Sequence, residues 1–169
     1  LLKQGEVSYR CNMVALSDEE ETYNSKRILS HSGGSIEGEE AVKLVESLLA
    51  NEEFTALCQK YGMRFTVCPS FRPIAVQTGM DVEGLECTPP HDHLGEACGP
   101  LLPKGSEAAE GLEAIQRLSF TLLDDHPVNR HRRAQGKLPA NSLWFWAQGS
   151  AIQLPSFEAA HKTGGFVVS

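Results

Sequence analysis

At 169 residues the chain is long enough for one domain with a sizeable core, and 41% hydrophobic against 22% charged residues is the balance of an ordinary soluble globular protein. No apolar run approaches the roughly 18–20 residues of a membrane span, and the start, Leu1 to Gly5, has neither the apolar stretch nor the cleavage site of a secretory leader. A formal net charge of −7 argues against a general nucleic-acid or anionic-membrane binder, which needs a broad basic surface.

In chain order, Ser8–Leu16 reads as a strand, rich in apolar and aromatic residues. The acidic run Asp18–Glu21 reads as a solvated turn, and Arg27–His31 as a second short strand ended by Gly33 and Gly34. Ser35 is placed to cap a helix, with Glu37, Glu39 and Glu40 suiting the positive end of its dipole. Ala41, Val42, Val45, Leu48 and Leu49 follow at helical spacing. After a break near Asn51 the apolar stripe continues through Phe54, Leu57, Cys58 and Tyr61, with Gly62 as the stop. Met63–Cys68 and Phe71–Thr78 predict two strands joined at Pro69 and Ser70. The segment Gly79–Gly105 is rich in Gly and Pro, and loops this long inside a domain are often functional. Ser106 caps a helix carrying Leu112, Ile115, Phe120 and Leu122, and a short helix opens at Pro127 and ends at Gly136. Ser142–Gln148 is a last, aromatic strand. The fold class expected from this order is α+β: a mixed, mostly antiparallel sheet with helices on one face, on the ferredoxin-like βαββαβ plan with an extra hairpin. Residues 1–150 form the domain, and 151–169 form a tail that ends like a strand entering something else. With no initiator Met, the sequence reads as an excised or processed piece.

The five cysteines, Cys11, Cys58, Cys68, Cys87 and Cys98, fit no disulfide framework. Cys11, Cys58 and Cys68 lie in apolar contexts and read as small buried hydrophobes. A reducing cytosol, and so a cytoplasmic protein, is the expectation.

Charge is uneven. Between His126 and Lys137 lie Arg130, Arg132, Arg133, Lys137 and two His, with no acid. On a helix Asn129 lies beside Arg132 and Arg133 at i+3 and i+4, and arginine forks match phosphate or carboxylate oxygens in pairs. A phosphorylated small molecule is one reading of this patch and a solvated helix face the other. His91, Asp92 and His93 form a second candidate: a metal site, a substrate-contacting loop or a structural turn. A catalytic zinc would need a third ligand, and none is recognisably spaced. Arg72, in Cys68–Pro73, either holds phosphate or pairs with a surface carboxylate. Arg10, inside the first strand, must be edge-exposed or paired. Arg10, Arg72 and Arg132 would form an anion pocket if the strand ends converge. The chain carries no G-x-S-x-G elbow, P-loop or H-E-x-x-H motif.

Five segments in order, Ser8–Asn12, Ser30–Gly34, Thr88–Asp92, His126–Asn129 and Gly136–Asn141, resemble the archaeal-type cofactor-independent phosphoglycerate mutases of the alkaline-phosphatase superfamily. The resemblance covers nearly the whole chain. It implies a parent enzyme of glycolysis that interconverts 2-phosphoglycerate and 3-phosphoglycerate through a metal-activated serine. It further implies that the serine and two divalent ions, such as Mn, Mg or Zn, belong to a core domain, and that this chain is the substrate-binding insertion that closes on it. That insertion alone is expected to be inactive. The resemblance assigns substrate contacts to Asn129 and Arg132 first, then to Arg10, Arg72, His91 and Asp92, with Arg130 and Arg133 in the same patch. It assigns no catalytic residue and no metal ligand within the chain. A fixed residue is not expected at His93, which discounts a metal there. The expected partners are phosphoglycerate and the chain's own core domain, with no nucleic acid and no membrane. The alternatives are a lid on a related superfamily enzyme, homoserine kinase-like or phosphonopyruvate-related, and a non-catalytic anion-binding module.

Overall fold

Strand β1 (Glu6–Leu16) is the spine of the molecule, and the computed structural model describes residues 1–151 around it. Side chains alternate along it, so Val7, Tyr9, Cys11 and Met13 enter the main core while Arg10 and Asn12 belong to the opposite face. Strand β4 (Ile74–Thr78) pairs with Glu6–Arg10 along one edge, and β5 (Ser142–Ser150) pairs with Val7–Val14 along the other. Strand β3 (Met63–Thr66) lies outside β4, and the short β2 (Ile28–Ser30) meets β1 at Ala15 and Leu16. The order across the sheet is β5-β1-β4-β3, and every described pairing is antiparallel.

Helices α1 (Gly38–Leu49), α2 (Glu52–Lys60), α3 (Glu107–Leu123) and the short α4 (Pro127–Ala134) complete the α+β fold, with the helices gathered on one face. The apolar stripes read from the sequence are the buried ones: Ala41, Leu44, Val45 and Leu48 from α1, Phe54 and Cys58 from α2, Leu112 and Ile115 from α3. They meet Tyr9, Met13, Leu143 and Phe145 of the sheet in a single core. Truncating a fully buried ring such as Phe54 costs ~3–5 kcal/mol in cores of this kind. Among the described residues no helix is long and apolar enough to cross a membrane.

The opposite face is covered by coil. Trp144, Trp146, Val14, Leu16 and Ile28 pack against Cys98, Leu101 and Cys87 of the long Gly/Pro-rich segment. The Trp144 indole N–H donates to the Thr88 carbonyl at 2.8 Å, and Gln148 donates to that of Leu85 at 2.7 Å, tying the segment to β5.

Several boundaries differ from expectation for local reasons. Asn51 does cap α2, accepting from the Phe54 N–H. Ser35 does not cap α1, because the Ser32 hydroxyl takes its N–H and holds it in a left-handed turn at φ 59°; the helix starts instead at Gly38 after Glu37. Strands β3 and β4 are shorter than the apolar runs suggest, stopping at Thr66 and starting at Ile74, since Pro69 and Pro73 offer no ladder N–H. Cys11, Cys58 and Cys98 are the buried thiols, whereas Cys68 is only partly covered; all five are free. The tail expected over 151–169 lies, beyond Ala151, outside the described residues.

Candidate functional site

Arg10 and Trp146 face each other directly across the β1–β5 ladder, on the face away from the helices. The guanidinium lies 5.0 Å from the centre of the indole. Such stacking holds the plane of an arginine while leaving its N–H edge free for an anion. The ladder is irregular between Ser8 and Arg10, and opposite this point Ala147 has φ 49°. A bulge of this kind re-aims the neighbouring side chain, here Trp146, at the cost of local strain.

Rings continue the surface. His91, from the 3₁₀ turn Pro90–Asp92, meets the Trp146 ring edge-on at 5.1 Å. His31, just after β2, stands 6.2 Å from His91 and 6.0 Å from Phe71, both edge-on. Arg72 lies over Phe71 at 5.0 Å. The Met13 N–H donates to the Phe71 carbonyl at 2.7 Å, which keeps this segment beside β1 although it is no longer strand. Arg10 and Arg72 thus stand at the two ends of one run of aromatic rings. Asn12 fixes the middle of that run. It is fully buried, its amide N–H₂ donates to the His31 carbonyl at 2.9 Å, and its oxygen accepts the Trp146 indole N–H at 3.1 Å.

The arginines divide sharply. Arg27, Arg64, Arg117, Arg130, Arg132 and Arg133 each lie beside a carboxylate. Arg10 and Arg72 have no such partner among the described residues. His91 has only an exposed 3.5 Å contact with Asp92, and His93 turns away to Glu96. Among the described residues no three His, Cys, Asp or Glu side chains converge as a metal site requires. Burial raises the Cys58, Cys87 and Cys98 thiols to about 12, so none of these three is a ready nucleophile at neutral pH.

The basic helix α4 is built differently from its sequence reading. Asn129 is wholly buried; its amide donates to the Leu123 and Ala140 carbonyls and accepts the Ala140 N–H. Arg132 is 3% exposed. Its Nε donates to the Leu138 carbonyl, one terminal nitrogen to Glu40 at 2.6 Å, and the other to the carbonyls of Gly33 and Gly34. Arg133 is held by Asp124 and Asp18, so the acidic run is not merely solvated, and Arg130 lies loosely against Asp125 at 3.9 Å. The contacts place Arg10 and Arg72 on one run of rings, and Arg132 against the loop that carries His31 instead.

A profile of the 2,3-bisphosphoglycerate-independent phosphoglycerate mutases matches residues 1–129. The chain belongs to this family. The mutase of that name from Methanosarcina barkeri is 36% identical over 171 residues, covering 99% of this chain but 39% of the relative. A probable mutase from Geobacter sulfurreducens is 31% identical with the same coverage of each chain. The solved cofactor-independent phosphoglycerate mutase of Thermoplasma acidophilum shares the fold, with a TM-score of 0.66 at 21% identity over 94% of this chain and 40% of that one. The chain thus spans about two fifths of the length of the curated mutases it matches.

Of the phosphoglycerate mutase segments recognised in the sequence, Ser8–Asn12 and Thr88–Asp92 supply Arg10, Asn12 and His91 to the ring-lined face. Ser30–Gly34 supplies His31, which no spacing argument had singled out. Trp146 and Phe71 were also missed. The available signal was alternation: Trp144 and Trp146 share one face of an aromatic strand, so a second apolar surface opposite the helices was implied.

Proposed function

We propose that this chain is the substrate-binding domain of a phosphoglycerate mutase, and that the face bearing Arg10, His31, Arg72, His91 and Asp92 takes up the phosphoglycerate. The observation that carries this is the pair Arg10 and Arg72: two stacked arginines with no carboxylate partner among the described residues, at either end of one ring-lined surface, in a chain of the mutase family. A phosphoglycerate carries a phosphate and a carboxylate at its two ends, and each suits a guanidinium fork. Transfer of its phosphoryl group depends on positioning and on neutralising oxygen charge, which are tasks for arginine. The parent enzyme is an isomerase acting between 2-phosphoglycerate and 3-phosphoglycerate, with its nucleophile and two divalent ions in a separate core domain on which this domain closes. The antiparallel order β5-β1-β4-β3, with helical connections after β1 and β4, supports the ferredoxin-like plan for the closing domain.

Within this reading Asn129, Arg132 and Arg133 act from behind the site, while Arg130 and Lys137 of that patch are exposed. Titration of the chain with 3-phosphoglycerate, followed by amide NMR, tests the proposal. The expected result is saturable binding near ~1 mM, about 4 kcal/mol, with shifts centred on His31, His91 and Trp146. The double variant R10A/R72A should abolish it. Binding that survives in the double variant, or shifts centred on α4 instead, would reject the assignment of this face.

A further inference from the structure

We infer that Arg132 is a positioning residue for His31, and that helix α4 is the back plate of the ring-lined face. The inference rests on that face being the substrate site. His31 opens the turn His31–Ser35, which is gripped from both sides. In front, Asn12 donates to the His31 carbonyl. Behind, the Arg132 guanidinium donates to the carbonyls of Gly33 and Gly34 at 3.1 and 3.2 Å while its Nε holds that of Leu138. The fit leaves no slack: a Cβ on Gly33 would stand 2.6 Å from that of Ala140, and one on Gly34 would stand 3.1 Å from the Arg132 nitrogen. Ala140 cannot retreat, because Asn129 binds both its N–H and its carbonyl. The planar fork matters more than the charge. A lysine would keep the pairing with Glu40 and lose the simultaneous hold on three carbonyls, so the turn, and the His31 ring on it, would shift against His91 and Phe71.

The test compares R132K, G34A and E40Q in the full chain. The readouts are the His31 and His91 ring resonances, thermal unfolding and titration with 3-phosphoglycerate. G34A presses on the same contact from an exposed position, and its left-handed φ of 66° adds strain to the same turn, so the test does not depend on the buried variant folding. R132K and G34A should both move the His31 ring signals and weaken binding by about tenfold, the scale of a small misplacement in a preorganised site. E40Q, whose amide oxygen still accepts from Arg132, should lower the melting temperature and leave the His31 signals and affinity in place. The proposal is overturned if R132K or G34A folds with His31 signals and affinity unchanged, or if E40Q moves them as far as R132K does. Failure of the site itself looks different. If the wild-type chain binds no phosphoglycerate while His31 still moves in R132K and G34A, the substrate assignment falls and the positioning stands. If R10A abolishes binding while R132K and G34A change nothing, the reverse holds.

Discussion

Asn12 and Asn129 do the same work in different places: each is buried, and each spreads one amide over two neighbouring segments. For Asn129 this gives a prediction that separates a structural from a binding role. Asn129→Ala strands the Ala140 N–H and carbonyl in the interior, where each unmet group costs ~1–3 kcal/mol, while the Leu123 carbonyl keeps the His126 N–H. The expected loss is about 2–4 kcal/mol in urea unfolding. A direct substrate contact would give the opposite pattern, unchanged stability with weakened binding, and that result would restore the sequence-based assignment. Arg10 is the converse case. Because it is stacked on Trp146 and has no carboxylate partner among the described residues, Arg10→Lys keeps the charge and loses the fork and the ring contact. Binding of 3-phosphoglycerate should fall several-fold with a melting temperature within about 2 °C of wild type, as expected for an exposed site. A large stability loss in R10K would mean that the stack on Trp146 serves the fold.

Helix α4 carries its own pH dependence at its start. The His126 ring nitrogen Nδ1 caps the helix by accepting the Val128 N–H at 3.0 Å, which only the neutral imidazole can do. Burial first, and then the Arg130 charge, lower the His126 pKa below its ordinary 6.5. The unfolded chain therefore takes up this proton at a higher pH than the folded one, and stability must rise with pH through the window. The cap contributes fully above about 6.5 and is lost as the pH falls below it. His126→Ala should cost ~1 kcal/mol at pH 8, and the unfolding curves of variant and wild type should draw together towards pH 5. Parallel curves across that range would show that the ring does not cap. The same helix marks where the sequence stopped being readable. Its ends followed from Pro127 and Gly136, as the apolar stripes of α1 to α3 followed from period, because both are local. The destination of its charges was not local: Arg132 meets Glu40 from 92 positions away, and Arg133 meets Asp18 from 115. A cluster of arginines without neighbouring acids looks like an anion site until the fold delivers the acids. Conversely, Trp146 reaches Arg10 only through the pairing of the last strand with the first, which period alone does not specify.

At the scale of the whole molecule, the proposed reading divides binding from chemistry. An arginine-bearing face can hold and neutralise an anion, but phosphoryl transfer also needs an acceptor nucleophile. The Cys58, Cys87 and Cys98 thiols, pushed up to about 12 by burial, are protonated at neutral pH. No trio of His, Cys, Asp or Glu among the described residues would hold a divalent ion to activate a serine or water. The chain is 39% of the length of its Methanosarcina barkeri relative, which leaves ample sequence for such a centre elsewhere. On the proposed reading the chain should bind 3-phosphoglycerate yet give no 2-phosphoglycerate above background in a coupled assay with added Mn²⁺. Its melting temperature should not respond to EDTA, since a metal bound only by the native state would raise it by mass action. A polypeptide of the relatives' full length, carrying this same domain, should turn over substrate, and R10A/R72A in that context should cut kcat/KM by about a hundredfold or more. Turnover that survives repurification of the short chain, or an EDTA-sensitive melt, would put the catalytic centre within these residues and sink the division of labour.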